Sequence, residues 1–215
     1  MNFDQLDDVF HIGLLEGARF GGKYGFPFIE RTDSIPDKLI PFDKAVSARH
    51  REGFVHFFLG DKSFMRIWRN PYRYLPILTQ LDGAIAPDFS VMWTHSLYLQ
   101  IESVGRSRAL GSWMQRAGAD TIPVARWGMP ETYDFAFEAI APGGTVAVGT
   151  TGCMRDPVTR GVFAKGVPEL LRRVEPKTLV VYGPLREDVF WPALEAGIAI
   201  RHFESDTTLK KNGVA

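Results

Sequence analysis

Cysteine is nearly absent from this sequence: its 215 residues hold only Cys153. An internal disulfide and a multi-cysteine zinc site are both excluded. Net charge is absent too, with 25 Lys and Arg against 25 Asp and Glu. That balance gives no support to a nucleic-acid partner, because non-specific affinity is mainly phosphate neutralisation; a local basic face stays open. No run approaches the ~20 apolar residues that span a bilayer, so no membrane partner is expected. The opening MNFDQLDD is acidic and polar rather than a secretory leader, which reads as a soluble, cytoplasmic chain. Low-complexity tracts, heptads and sequence repeats are missing. So are the G-x-x-x-x-G-K-[ST] loop, the G-x-G-x-x-G fingerprint and the G-x-S-x-G elbow. His11, His50, His56, His95 and His202 form no H-x-x-x-H pair, and neither a metal set nor a cofactor is assigned.

Apolar side chains are plentiful at 45%, enough to fill a core. Residues 1–50 read as an arm packed on that core. Asn2 to Glu16 has the spacing of an amphipathic helix. GARFGGKYGFPFIERTDSIP is irregular chain whose aromatics pack it down or make it a binding loop, and Pro41 to Arg49 is a short helix. Residues 51–215 read as a single α/β domain. Six β-rich runs, at 54–59, 83–89, 120–127, 144–151, 178–183 and 198–203, alternate with helix-like stretches. These stretches are Ser63 to Leu81, Thr94 to Ala117, Glu131 to Ile140, Val158 to Val174 and Glu187 to Ala196. This rhythm predicts a largely parallel sheet of about six strands with crossover helices, either open and doubly wound or a partial (β/α) barrel. In either case ligands bind at the C-terminal ends of the strands.

The residues that follow the runs are therefore the candidates. Asp88 and Ser90 close the second run; a strand-terminal Asp suits a general base or a ligand anchor, with Ser90 orienting, although both types also cap helices and turns. Asp61 precedes a helix and reads as its cap or as a rim carboxylate. Gly149-Thr150-Thr151-Gly152 is a flexible strand-to-helix turn whose amides could cradle a phosphate. Trp127 ends the third run, to pack in the core or to stack a base or sugar.

On the Thr94 to Ala117 helix, Leu97, Ile101, Val104, Arg108, Gly111 and Gln115 fall within a ~60° arc. Arg108 and Gln115 are misplaced on an apolar face unless something satisfies them. A buried guanidinium needs a carboxylate, carbonyl groups or an anionic ligand. Arg108 either pairs with an acid such as Asp88 or reaches the rim to bind an anion. Arg106 and Glu102, on the opposite arc, form an i,i+4 pair. Arg66, Arg69 and Arg73, with Trp68, Tyr72 and Tyr74 nearby, make one basic and aromatic cluster. It is a solvated helix face or a surface for nucleic acid or an acidic partner.

The strings VHFFLGDKSFMRIWRNPYRYLPIL, GAIAPDFSVMWTHSLYLQIESVGRSRALGSWMQRAGADTIPVARWG, GTVAVGTTGC and TLVVYG resemble the family catalogued as domain of unknown function 4417. The resemblance runs from about Ile35 to Gly183. It implies kinship with proteins of bacteria, phages and mobile elements, and it brings no established activity. It puts weight on Asp61, Asp88, Ser90, Gln100, Arg106, Arg108, Gln115 and Trp127. This chain departs from the family pattern at Gly60, at Trp93-Thr94-His95 and at Ser103-Val104, which weakens any metal role. Two expectations result. One is a ligand or catalytic site at the rim for a nucleotide-like anion, with Asp88 and Ser90 as catalytic residues and Asp61, Gln100, Arg108, Gln115 and Trp127 as ligand contacts. The other is non-catalytic binding of a host protein or nucleic acid through Arg66, Arg69 and Arg73 or through the arm.

Overall fold

The structure is a computed structural model and describes residues 8–47, 52–211 and 213. His50 and the end of the helix expected after Pro41 lie outside the described residues, as does the first part of the helix expected from Asn2. What is described of that first helix is shorter than its spacing suggests: a single 3₁₀ turn, Ile12–Leu15. The Asp8 carboxylate holds it by accepting from the amides of Ile12 and Gly13, both at 2.6 Å. Two antiparallel two-residue strands follow, β1 (Phe20–Gly21) and β2 (Phe26–Pro27).

The remaining strands are all parallel to their neighbours. They are β3 (Leu39–Pro41), β4 (Phe54–His56), β5 (Gly83–Ile85), β6 (Thr121–Ile122), β7 (Thr145–Gly149), β8 (Thr178–Tyr182) and β9 (Ala199–Phe203). Between and after them run α1 (Phe42–Ser47), α2 (Asp61–Arg69), α3 (Leu75–Leu78), α4 (Leu97–Arg116), α5 (Tyr133–Ala136), α6 (Pro157–Val174), α7 (Glu187–Glu195) and α8 (Asp206–Lys211). Among the described residues no helix is long and apolar enough to cross a membrane.

The strands form a four-stranded sheet, β3-β4-β5-β6, and a three-stranded sheet, β7-β8-β9. The division falls where Pro123 ends β6, because proline has no N–H for the ladder. A bridge at Val124 and Ala147 still joins the two edges, through bonds from Ala125 N to Ala147 O and from Ala147 N to Pro123 O, both 2.9 Å. Strand order follows chain order throughout, so the described strands contain no reversal of the kind a doubly wound sheet has at its switch point. Side chains of both sheets meet in one interior cluster of Phe54, Phe58, Ile85, Ile122, Val124, Ala147, Val180 and Tyr182. Within it the Tyr182 ring lies 4.4 Å from His56 and 5.1 Å from Phe58.

Each of the six β-rich runs contains a strand. The strands they omit, the short antiparallel pair β1 and β2 and the parallel β3, come from the segment read as arm. The helix expected over Ser63 to Leu81 is broken at Pro71 and Pro76 into α2, a 3₁₀ turn (Pro71–Arg73) and α3. The stretch Glu131 to Ile140 holds only a 3₁₀ turn (Pro130–Thr132) and the single turn of α5. Helices cover the outside. One cluster packs Phe42, Phe64, Ile67, Leu110 and Met114 over the first sheet. The other packs Phe163, Val167, Leu170, Val189 and Phe190 over the second.

Candidate functional site

At the C-terminal ends of the strands lies a cavity of about 560 Å³. Its floor is built from Asp88 after β5, Arg126 after β6, Gly149 at the end of β7 and Tyr182 at the end of β8; Phe58, Trp93, Trp127 and Phe163 supply aromatic wall. Gly149 lets these groups converge. A Cβ there would stand 2.6 Å from the Phe58 ring and 3.0 Å from Oδ2 of Asp88, too close for any larger residue.

Asp88 is 4% exposed and its Oδ2 pairs with Arg126 at 3.2 Å. Burial pushes its carboxyl up to about 6, a rise that Arg126 opposes and Asp61 reinforces. Arg126 also donates to the Gly149 carbonyl at 3.0 Å, and the same nitrogen lies 3.6 Å from Sγ of Cys153. One guanidinium thus joins a carboxylate, a strand-end carbonyl and the thiol. Behind the floor is a second space of about 10 Å³, lined by both Asp88 and Ser107. Asp88 Oδ1 and Ser107 Oγ have no hydrogen-bond partner among the described residues. Nor do the described residues gather three or more His, Cys, Asp or Glu side chains that could hold a metal ion.

The structure brings some expected residues to this cavity and sends others elsewhere. Asp88, Ser90 and Trp127 line it. Ser90 is not partnered with Asp88, however: its hydroxyl donates to Asp61 Oδ1 at 2.8 Å and its amide to Asp61 Oδ2 at 3.3 Å. Asp61 opens α2 with Gly60 as the capping residue, so its carboxylate ties the β5 loop to that helix. Arg108 neither pairs with Asp88 nor reaches the rim. It is 1% exposed and donates to the carbonyls of Glu138, Val124 and Ala136 at 2.9, 2.9 and 2.7 Å. The α4 phase places it on the core face, and three backbone carbonyls replace the expected acid or anion.

Gln115 is also spent on backbone, accepting from the Glu30 amide at 2.7 Å and donating to the Glu30 carbonyl at 3.0 Å. Gln100 is buried beside the cavity wall and donates to the His95 carbonyl at 2.9 Å. Arg66 turns inward, its guanidinium 5.1 Å from the Phe42 ring and 5.8 Å from Tyr74. Arg69 and Arg73 are exposed. Arg106 pairs with Glu102 at 2.6 Å, at the expected i,i+4 spacing.

Four cavity residues, Arg126, Cys153, Tyr182 and Asp206, stand at strand ends that the sequence marks without selecting them. The signal was position alone. Arg126 is separated from Asp88 by all of α4, so no local pattern announces their pair.

Trp127 is held as wall rather than as a free ring. Its Nε1 donates to the Phe163 carbonyl at 3.1 Å, and its ring lies 4.6 Å from that of Phe163. Gly166, one turn along α6, permits this: a Cβ there would fall on the Trp127 indole. Gly166→Ala is expected to cost about 2 kcal/mol by overpacking and to shift the tryptophan emission as the indole is displaced. Urea unfolding followed by fluorescence checks both; wild-type stability with an unchanged spectrum would refute the close contact.

The family model described as Domain of unknown function (DUF4417) matches residues 18–204. The chain is 36% identical over 169 residues to the Gene 1 protein of Mycobacterium phage L5, covering 76% of this chain and 72% of that protein. It is also 36% identical over 169 residues to the Gene 1 protein of Mycobacterium phage D29, covering 76% of this chain and 62% of that protein. No solved structure matches.

Proposed function

The chain belongs to the DUF4417 family, and from that premise we propose that it binds a nucleotide-like small molecule in the cavity at the strand ends. The observation that carries this is the cavity's composition. About 560 Å³ is lined by Phe58, Trp93, Trp127 and Tyr182, with Asp88 and Arg126 converging on its floor. An apolar hollow with a few fixed polar groups is the usual form of a small-molecule site. Its volume suits a base and a sugar, and aromatic walls suit a flat heterocycle. The strand order and the cross-sheet contact of Tyr182 with His56 and Phe58 support reading the two sheets as one incomplete (β/α) barrel, whose ligands sit at this end.

In this role Asp88 is the ligand anchor, held in place by Arg126. Ser90 acts indirectly, by fixing the β5 loop to Asp61. Thermal unfolding against a panel of nucleosides and their 5′-mono-, di- and triphosphates tests the proposal. At least one compound is expected to raise the melting temperature, since a ligand that binds only the native state stabilises it by mass action. Thr151→Trp, which fills the cavity from an exposed position on its lining, is expected to abolish that rise. No shift with any compound would overturn the assignment.

A further inference from the structure

Resting on that reading of the cavity, we infer that it selects an uncharged occupant, a nucleoside or free base, over the corresponding phosphate ester. The charges at the lining decide this. Among the lining residues the cation is Arg126 and the carboxylates are Asp88 and Asp206. Arg126 is already paired with Asp88 at 3.2 Å, and Asp206 is paired with Lys44 at 2.6 Å. The lining sums to no free positive charge.

Helix N-termini are another common source of positive potential, and the three that reach the lining, those of α2, α6 and α8, carry their own carboxylates; α4 has no acid in its first turn, but it begins at Leu97, beyond the lining. Asp61 stands in the first turn of α2. Asp156 caps α6, accepting from the Thr159 amide at 2.7 Å. Asp206 opens α8. A phosphate entering the cavity could take Arg126 only by separating it from Asp88, which leaves a buried carboxylate without its counter-ion. A neutral heterocycle does not disturb the pair: its N–H groups meet carboxylate oxygens, and its faces meet Phe58, Trp93 and Tyr182.

Calorimetric titration of the full chain with adenosine, guanosine, cytidine and uridine, each beside its 5′-monophosphate, tests this. The nucleoside that binds is expected to do so at least tenfold more tightly than its monophosphate. Its affinity is expected to hold from roughly 0.05 to 0.5 M salt, as it should for an uncharged ligand. Asp88→Asn releases the charge of Arg126 and is expected to narrow or reverse the tenfold preference. Should that variant not fold, the wild-type ratio and its salt response decide alone. A monophosphate that binds as tightly as its nucleoside, or more tightly, would overturn the inference and leave the cavity standing as a ligand site. Binding by no member of either set would overturn both.

Discussion

Arg108→Met is expected to lower stability by about 4 kcal/mol. Methionine keeps much of the stem volume and removes the fork. The carbonyls of Val124, Ala136 and Glu138 then lose the donors that reach them at 2.7–2.9 Å. Each buried acceptor left unpaired costs ~1–3 kcal/mol, and relaxation keeps the sum below three full penalties. The loss is large because Arg108 joins three parts of the fold, α4, the chain after β6 and the chain around α5. Burial already opposes the cation and brings its pKa down to about 9, with Glu138 acting the other way, yet the group stays charged at neutral pH. Arg108→Lys should recover only part of the loss, because a point ammonium cannot serve three divergent carbonyls as a planar fork does. For a chain of this length the methionine variant should melt roughly 10 °C lower. A loss below about 1 kcal/mol in urea unfolding would show that the three bonds are not structural.

The second large effect concerns pH, where two buried groups oppose each other. Asp88 titrates near 6 in the folded chain against an ordinary 3.8. The native state therefore binds the extra proton between those values. The stability it gains is complete below about 3.8 and is lost as pH rises toward 6. His56, 1% exposed, is pushed by burial down to about 4 from 6.5, with Asp206 raising and Lys44 lowering it by smaller amounts. Here the unfolded chain binds the extra proton, so stability grows as pH rises from 4 to 6.5. Each shift exceeds two pH units, or roughly 3 kcal/mol, and the two have opposite signs over nearly the same window.

Wild-type stability should accordingly change little from these groups between pH 4 and 6. His56→Phe should expose the Asp88 contribution as a fall with rising pH, and Asp88→Asn should expose the His56 contribution as a rise. Asparagine is uncharged, as the protonated Asp88 is below about pH 6, so the slope that remains is that of His56. Chemical denaturation at half-unit pH steps reads the slopes. Two variants with profiles parallel to wild type would contradict the assignment.

The parts of this molecule legible in its sequence are those encoded locally. β7 and β8 are buried along their whole length, so their apolar runs are unmistakable. β3 is not, since three residues ending in a proline carry no pattern. Prolines 71 and 76 broke a helix whose periodicity continued past them, because ring geometry overrides spacing. For Arg108, helix phase foretold burial, but its partners are main-chain carbonyls at 124, 136 and 138, which no side-chain pattern can announce. The site follows the same rule. The end of β5 pointed to Asp88, whereas Arg126 became its partner only through the neighbouring of β5 and β6 across the whole of α4.

The match between strand order and chain order also bears on how this protein is made. Each parallel strand from β4 to β9 lies beside the strand synthesised just before it. As the chain leaves the ribosome, each new strand and its preceding helix find their template strand already present, although residues 29–32 wait for their backbone partners at 139–145. Pairing with the preceding strand keeps each closure down to a single crossover, and shorter closures form faster. Assembly can therefore proceed vectorially from β3, with Gly149, Tyr182 and α8 completing the cavity last.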